Sequence, residues 1–156
     1  MIELDDVDRG ILHRLQGDAR HTTATDIAGE VGVTANTVRN RIQRLEDEGV
    51  ISGYVPLINY ERTAKSMYMS VQCTVPIHER GELAARALEF DGVVAVRELM
   101  TGHRNLRVDI VAEDTDEITT TVSSLQRAGL DIEGEELIKA EYRQPFDHFG
   151  TTTTDS

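Results

Sequence analysis

The chain has 156 residues, enough for one ordinary domain or two small ones. Its formal net charge is −12 and its hydrophobic content 39%, so it is acidic, can build a core, and has no apolar run near the roughly 18–20 residues that cross a bilayer. Cys73 is the only cysteine, which excludes an internal disulfide and a multi-cysteine metal site, and the acidic start MIELDDVDRG is neither a secretory signal nor a transit peptide, so a cytoplasmic setting is expected.

Asp5, Asp6 and Asp8 precede or open a first helix, where negative charge suits the positive end of the helix dipole. Val7, Ile11, Leu12 and Leu15 form its apolar stripe, and Gly17-Asp18 ends it. Thr23 with Asp26 imitates a capping box at the start of a second helix, whose stripe is Ile27, Ala28 and Val31. The small Ala28 suits a close helix crossing. Gly32 makes the turn, and Thr34 caps a third helix.

That third helix, Thr34 to Gly49, carries an apolar stripe of Ala35, Val38, Ile42 and Leu45. At about 100° per residue, Asn36, Thr37, Asn40, Gln43 and Arg44 fall on the opposite face, with Arg39 and Arg41 on the flanks. Asn, Gln and Arg pair with base edges in the major groove, and flanking arginines meet phosphates. Alone, the segment is equally an ordinary amphipathic surface helix. Two short helices about a Gly-containing turn just before it are the helix-turn-helix pattern, which shifts the reading to DNA. Arg39 is expected on phosphate. Arg41 is open between a phosphate and a salt bridge to an acid of the first helix. Thr34 is a cap that can also donate to a phosphate.

Gly49 to Asn59 is rich in β-favouring residues around Pro56 and reads as an extended strand and hinge, followed by a polar connection to Ser66. Met67 to Val75 alternates apolar and polar residues, a half-buried strand ended by Pro76. A helix over 79–90 follows, with Leu83, Ala84, Ala87 and Leu88 inward. Strands are predicted over 93–100, 106–112 and 135–142, with a helix over 114–127 between the last two. The order β-α-β-β-α-β is the ferredoxin-like arrangement. One sheet face is covered by two helices; the other has no expected cover within the chain and should pack on a second copy. The threonine-rich tail from Gly150 reads as disordered.

The charge balance bears on DNA binding, because nonspecific affinity comes from cations on phosphates. Between Thr34 and Arg44 there are three arginines and no acid, so that face is locally positive. Of the sixteen basic residues only Lys65 and Lys139 are lysine. Abundant acid with scarce lysine is similar to proteins of salt-accumulating archaea; a GC-rich genome is the alternative source of the arginine bias. The histidines are scattered without metal-ligand spacing, and no phosphate loop, nucleophile elbow or catalytic carboxylate pair is identified. No cofactor is expected.

The segments LDDVDRGILHRLQGDAR and DIAGEVGVTANTVRNRIQRLEDEGVISGY resemble the Lrp/AsnC, or feast/famine, family of transcriptional regulators over roughly residues 4 to 143. The resemblance implies an α+β chain. Residues 1–52 would be a winged-helix-like helix-turn-helix domain, 53–66 a strand hinge and linker, 67–145 a ferredoxin-like effector-sensing and oligomerisation domain, and 146–156 a disordered tail. It also implies a homodimer, often assembled further into an octamer, reading a pseudo-palindromic double-stranded DNA operator and responding to an amino acid or other small metabolite. The family's loop between the second and third strands, Thr-Gly-x-x-Asp, is here Thr101-Gly102-His103-Arg104-Asn105, so Met100 to Asn105 are the implied effector residues. Asn105 replaces the usual aspartate, keeping the shape and losing the charge. Two other functions share this architecture: a sirohaem decarboxylase-like enzyme, and a sensing or assembly protein that does not bind DNA. The polar, basic face from Asn36 to Arg44 favours the DNA reader.

Overall fold

The computed structural model describes residues 2–146. They fall into two compact units, one of residues 2–56 with 142–146 and one of residues 57–141. The expected tail after residue 146 lies outside the described residues. Residues 142–145, expected in the sensing domain, belong to the first unit, where the Phe146 amide donates to Gln16 Oε1.

The first unit is three helices, α1 (Asp6–Gly17), α2 (Ala24–Val31) and α3 (Ala35–Asp47). Each starts at a side-chain cap. Thr23 and Asp26 form the expected reciprocal box. Asp5 and Asp8 form a second one: Asp5 Oδ1 accepts the Asp8 amide at 2.9 Å, and Asp8 Oδ2 accepts the Asp5 amide at 3.2 Å. At α3 the Thr34 hydroxyl accepts the Thr37 amide at 3.1 Å. Gly32 turns the chain at φ 73° and Gly49 leaves α3 at φ 71°, both in the left-handed region that suits glycine. Ile11, Ile27, Val38 and Leu45 are fully buried at the centre of the unit, each worth about 1.5–3 kcal/mol of apolar burial.

Besides the expected Ala28, α1 meets α2 closely at Gly10. A Cβ at Gly10 would lie 2.5 Å from Val31 Cγ1. Gly10→Ala is therefore expected to destabilise this unit by on the order of 1 kcal/mol, the crowding outweighing the gain of about 1 kcal/mol in helix propensity. Urea unfolding checks it; a raised midpoint would refute the close contact.

The expected hinge strand does not form. Residues 52–59 join no ladder among the described residues, and a 3₁₀ turn follows at Tyr60–Arg62. Val55, Leu57 and Ile58 are all at least half exposed. Their β-favouring side chains have no partner strand to pair with, and Pro56 removes a donor. Tyr54 stays near α3, its hydroxyl donating to Glu46 Oε1 at 2.9 Å.

The second unit is a four-stranded antiparallel sheet with two helices: β1 (Met67–Thr74), α4 (Arg80–Ala87), β2 (Val93–Glu98), β3 (Leu106–Ala112), α5 (Thr115–Arg127) and β4 (Asp131–Leu137). The strand order β2-β3-β1-β4 is that of the expected βαββαβ fold. Val71, Cys73, Leu106, Val108 and Ile110 form the sheet side of the core with Ala84, Ala87, Ile118 and Leu125 of the helices. Several boundaries differ from expectation, β2 ending at Glu98 before residue 100 and β4 at Leu137 before residue 142. The first helix opens as a 3₁₀ turn at Ile77–Glu79 and ends at Ala87, so Leu88 is 54% exposed instead of inward. The last strand begins at Asp131, four residues early; its acids hid it, but Ile132 packs on the core and the strand pairs with β1 through an irregularity at Gln72/Cys73.

The sheet face away from the helices is less bare than expected. Tyr60 stacks on Tyr68 with ring centroids 5.8 Å apart. Tyr68 Oη donates to Asp109 Oδ2 at 3.1 Å, and Arg97 Nη1 pairs with the same oxygen. Burial first, then the Asp109 charge, pushes the Tyr68 phenol up to about 12. Asp109 and Ser70 are both buried on this face.

Candidate nucleic-acid interface

Val38 and Leu45 bury one side of α3, which leaves Asn36, Asn40 and Gln43 exposed on the other. The exposed surface opens at the capped N-terminus, where Thr34 and Thr37 share a hydroxyl hydrogen bond of 2.9 Å. Gln43 is braced along the helix, its Nε2 donating to Asp47 Oδ1 at 2.9 Å. Asn36, Arg39 and Asn40 are exposed and, among the described residues, held by no side-chain hydrogen bond or ion pair. These three present amide and guanidinium groups free to meet base edges and phosphates.

The other two arginines are engaged within the protein. Arg41 Nη1 lies 2.8 Å from Asp5 Oδ2 and 3.2 Å from Asp8 Oδ1. Of its two open roles, the salt bridge to the first helix is the one present. Arg44 departs from expectation. Placed with the outward amides by helical angle, it reaches back along α3, and its Nη2 pairs with Asp8 Oδ2 at 3.2 Å. The reason is the neighbouring helix: Asp8 is fully buried, and a buried carboxylate requires cations and donors around it. Asp5 is held below the usual carboxylate range chiefly by the Asp8 amide and also by Arg41; Arg41 is raised, chiefly by its hydrogen bond to Asp5. The sequence signal for the clamp is the Asp5, Asp8 spacing at the N-terminus of α1, which favours the dipole and also supplies the acids of the first helix that Arg41 can reach.

The loop between β2 and β3 divides in two. Met100, Thr101, Gly102, His103 and Arg104 are exposed. Arg104 has φ 48°, in the left-handed region, which costs about 1–2 kcal/mol outside glycine. It is held by its amide donating to Thr74 Oγ1 at 2.7 Å and its guanidinium to Gln72 and Glu133. Glu133 is held below its ordinary range, first by the Thr74 hydroxyl and then by His103 and Arg104. Asn105 lies apart from these five exposed residues. It is fully buried, its Oδ1 accepting the Val75 amide at 2.9 Å and its Nδ2 donating to the Val75 carbonyl at 2.8 Å. The side chain substitutes for a strand partner at the end of β1.

Among the described residues, no group of three His, Cys, Asp or Glu side chains could hold a metal ion, and no helix is long and apolar enough to cross a membrane.

Residues 4–52 match the model of a winged helix-turn-helix DNA-binding family. The HTH-type transcriptional regulator LrpA of Pyrococcus horikoshii is 31% identical over 123 residues, covering 78% of this chain and 84% of that one. The crystal structure of AldR, an HTH-type transcriptional regulator of Mycobacterium tuberculosis, is similar with a TM-score of 0.74 at 25% identity, over 92% of this chain and 99% of that one. A Neisseria meningitidis transcriptional regulator solved as an L-Met complex has the same fold, with a TM-score of 0.74 at 18% identity over 92% of this chain and 94% of that one.

Proposed function

Because this chain belongs to the Lrp/AsnC family of HTH-type transcriptional regulators, we propose that it binds a pseudo-palindromic operator as a homodimer and changes its DNA affinity or assembly in response to a small metabolite. The observation that carries the reading is the exposed face of α3. Asn36, Arg39 and Asn40 have no partners among the described residues, on a capped helix whose opposite side is buried. Amides of this kind pair bidentately with adenine edges, and the arginine meets phosphate. Thr34 and Thr37 supply hydroxyls at the N-terminus, where the helix dipole favours an anion. Gln43 supplies a further amide once it releases Asp47, while Arg41 and Arg44 brace the helix from α1.

The effector is an amino acid or a similar small metabolite, met at the loop from Met100 to Arg104. The L-Met complex of the Neisseria protein, on the same fold, supports this class. Effector sites would lie between dimers in a higher assembly such as an octamer. The acidic, lysine-poor composition supports a cytoplasm of high salt as the working environment.

Selection from a random duplex pool tests the DNA reading. The expected product is a two-fold symmetric motif with half-site centres about 10 bp apart; a pool that enriches no motif would remove it. Amino acids titrated against the selected duplex then test the effector. Arg104→Ala is expected to alter the ligand response more than the ligand-free DNA affinity, and identical titrations for wild type and variant would exclude this loop.

A further inference from the structure

Two of the three arginines in α3 converge on one buried carboxylate. Asp8 is fully buried, and it receives Arg41 and Arg44 at 3.2 Å each. Asp5 takes Arg41 from the solvent side at 2.8 Å. The Arg44 side chain is 41% exposed overall, yet its Nε is buried and makes no hydrogen bond of its own among the described residues. Two acids and two arginines therefore cancel in charge at the base of the recognition helix. Arg39 is left as the arginine of that helix with no ion pair among the described residues.

Resting on the DNA-binding reading above, we propose that Asp8 is the internal counter-ion of the recognition helix, withholding Arg44, and with Asp5 also Arg41, from DNA phosphates and so setting how steeply binding depends on salt. The physics is that of counterion release. Each cation placed on a B-DNA phosphate adds about 0.9 to the slope of log affinity against log salt. An arginine already paired with a buried carboxylate cannot neutralise a phosphate without uncovering that carboxylate, and an unpaired buried charge is costly. The helix then contributes one phosphate cation per subunit where its sequence displays three. A shallow slope preserves affinity as salt rises, which matches the acidity of the whole chain.

Asparagine substitutions test the assignment with little change of shape. Asn caps a helix as well as Asp, and its oxygen can still accept in the capping box. Binding to a random-sequence duplex is followed across a salt series by fluorescence anisotropy, with circular dichroism confirming the fold. Asp8→Asn is expected to steepen the slope by about 0.9 per subunit as Arg44 is released, and Asp5→Asn with Asp8→Asn by about 1.8. Arg44→Ala is expected to leave the wild-type slope unchanged and to abolish the steepening of Asp8→Asn. A role for Asp8 in folding alone would lower stability and leave the slopes of the folded variants at the wild-type value, which overturns the proposal. If Asp8→Asn does not fold, Arg44→Ala decides by itself: a slope shallower by about 0.9 per subunit means the arginine was on phosphate all along. Absence of binding by the wild-type protein to any duplex is a different failure, that of the DNA reading itself.

Discussion

Replacing Asn36 and Asn40 together by Ala is expected to lower affinity for the selected operator by on the order of 100-fold, with little change on random duplex. Each bidentate amide contact is worth about 1–3 kcal/mol of discrimination, and two together supply roughly that factor. The loss should be confined to specific binding because neither residue carries charge, so the phosphate contribution is untouched. Folding should be unharmed. Both side chains are exposed and, among the described residues, held by no side-chain hydrogen bond, and Ala is the better helix former. Anisotropy on the operator and on random duplex separates the outcomes. Equal loss on both would show that the residues act on the backbone, and no loss on either would take them out of the interface.

Asn105 should produce the largest stability effect in the second unit. Its amide satisfies both the N–H and the carbonyl of Val75 from a fully buried position. Asn105→Ala leaves two buried backbone groups without partners, at about 1–3 kcal/mol each. Asn105→Asp keeps an acceptor for the Val75 amide but offers its carbonyl no donor when ionised, and it places a charge where water is excluded. Both variants are expected to lower the urea midpoint by several tenths molar or more, for a cost of about 2 kcal/mol against a typical urea m-value of about 1–3 kcal/mol/M. Wild-type stability in Asn105→Asp would mean that the loop rearranges to meet the carboxylate. The aspartate usual in the resembling family would then be compatible with this chain as it stands.

The contrast between these two asparagines shows where sequence reading succeeds and where it stops. Asn40 was legible because helical periodicity is local: Val38, Ile42 and Leu45 fix one side of α3, and position alone then turns Asn40 outward. The capping box at Thr23, the turn at Gly32 and the strand alternation of β1 are legible for the same reason. Asn105 was not, because its partners at Val75 lie thirty residues away, and no spacing rule connects a loop amide to a distant strand end. Arg44 failed in the same way. Its angle on the helix was right, but an arginine is long enough to leave the face it starts from, and its destination is set by Asp8 on another helix. The displaced start of β4 has a different cause: alternation is a weak signal where Asp131, Glu133, Glu135 and Glu136 fill the strand, and only its pairing with β1 identifies it.

Those same acids have a consequence for how copies of this protein can meet. β4 is an outer strand of the sheet, and an outer strand offers a row of unpaired backbone donors and acceptors to any other extended chain. Here the row is fenced by carboxylates. A second β4 laid alongside would bring glutamates against glutamates, so lateral growth of the sheet into fibrils is opposed at neutral pH. The barrier is one of charge alone, so exchanging those carboxylates for amides would remove the guard from this edge while the strand beneath it remains ready to pair.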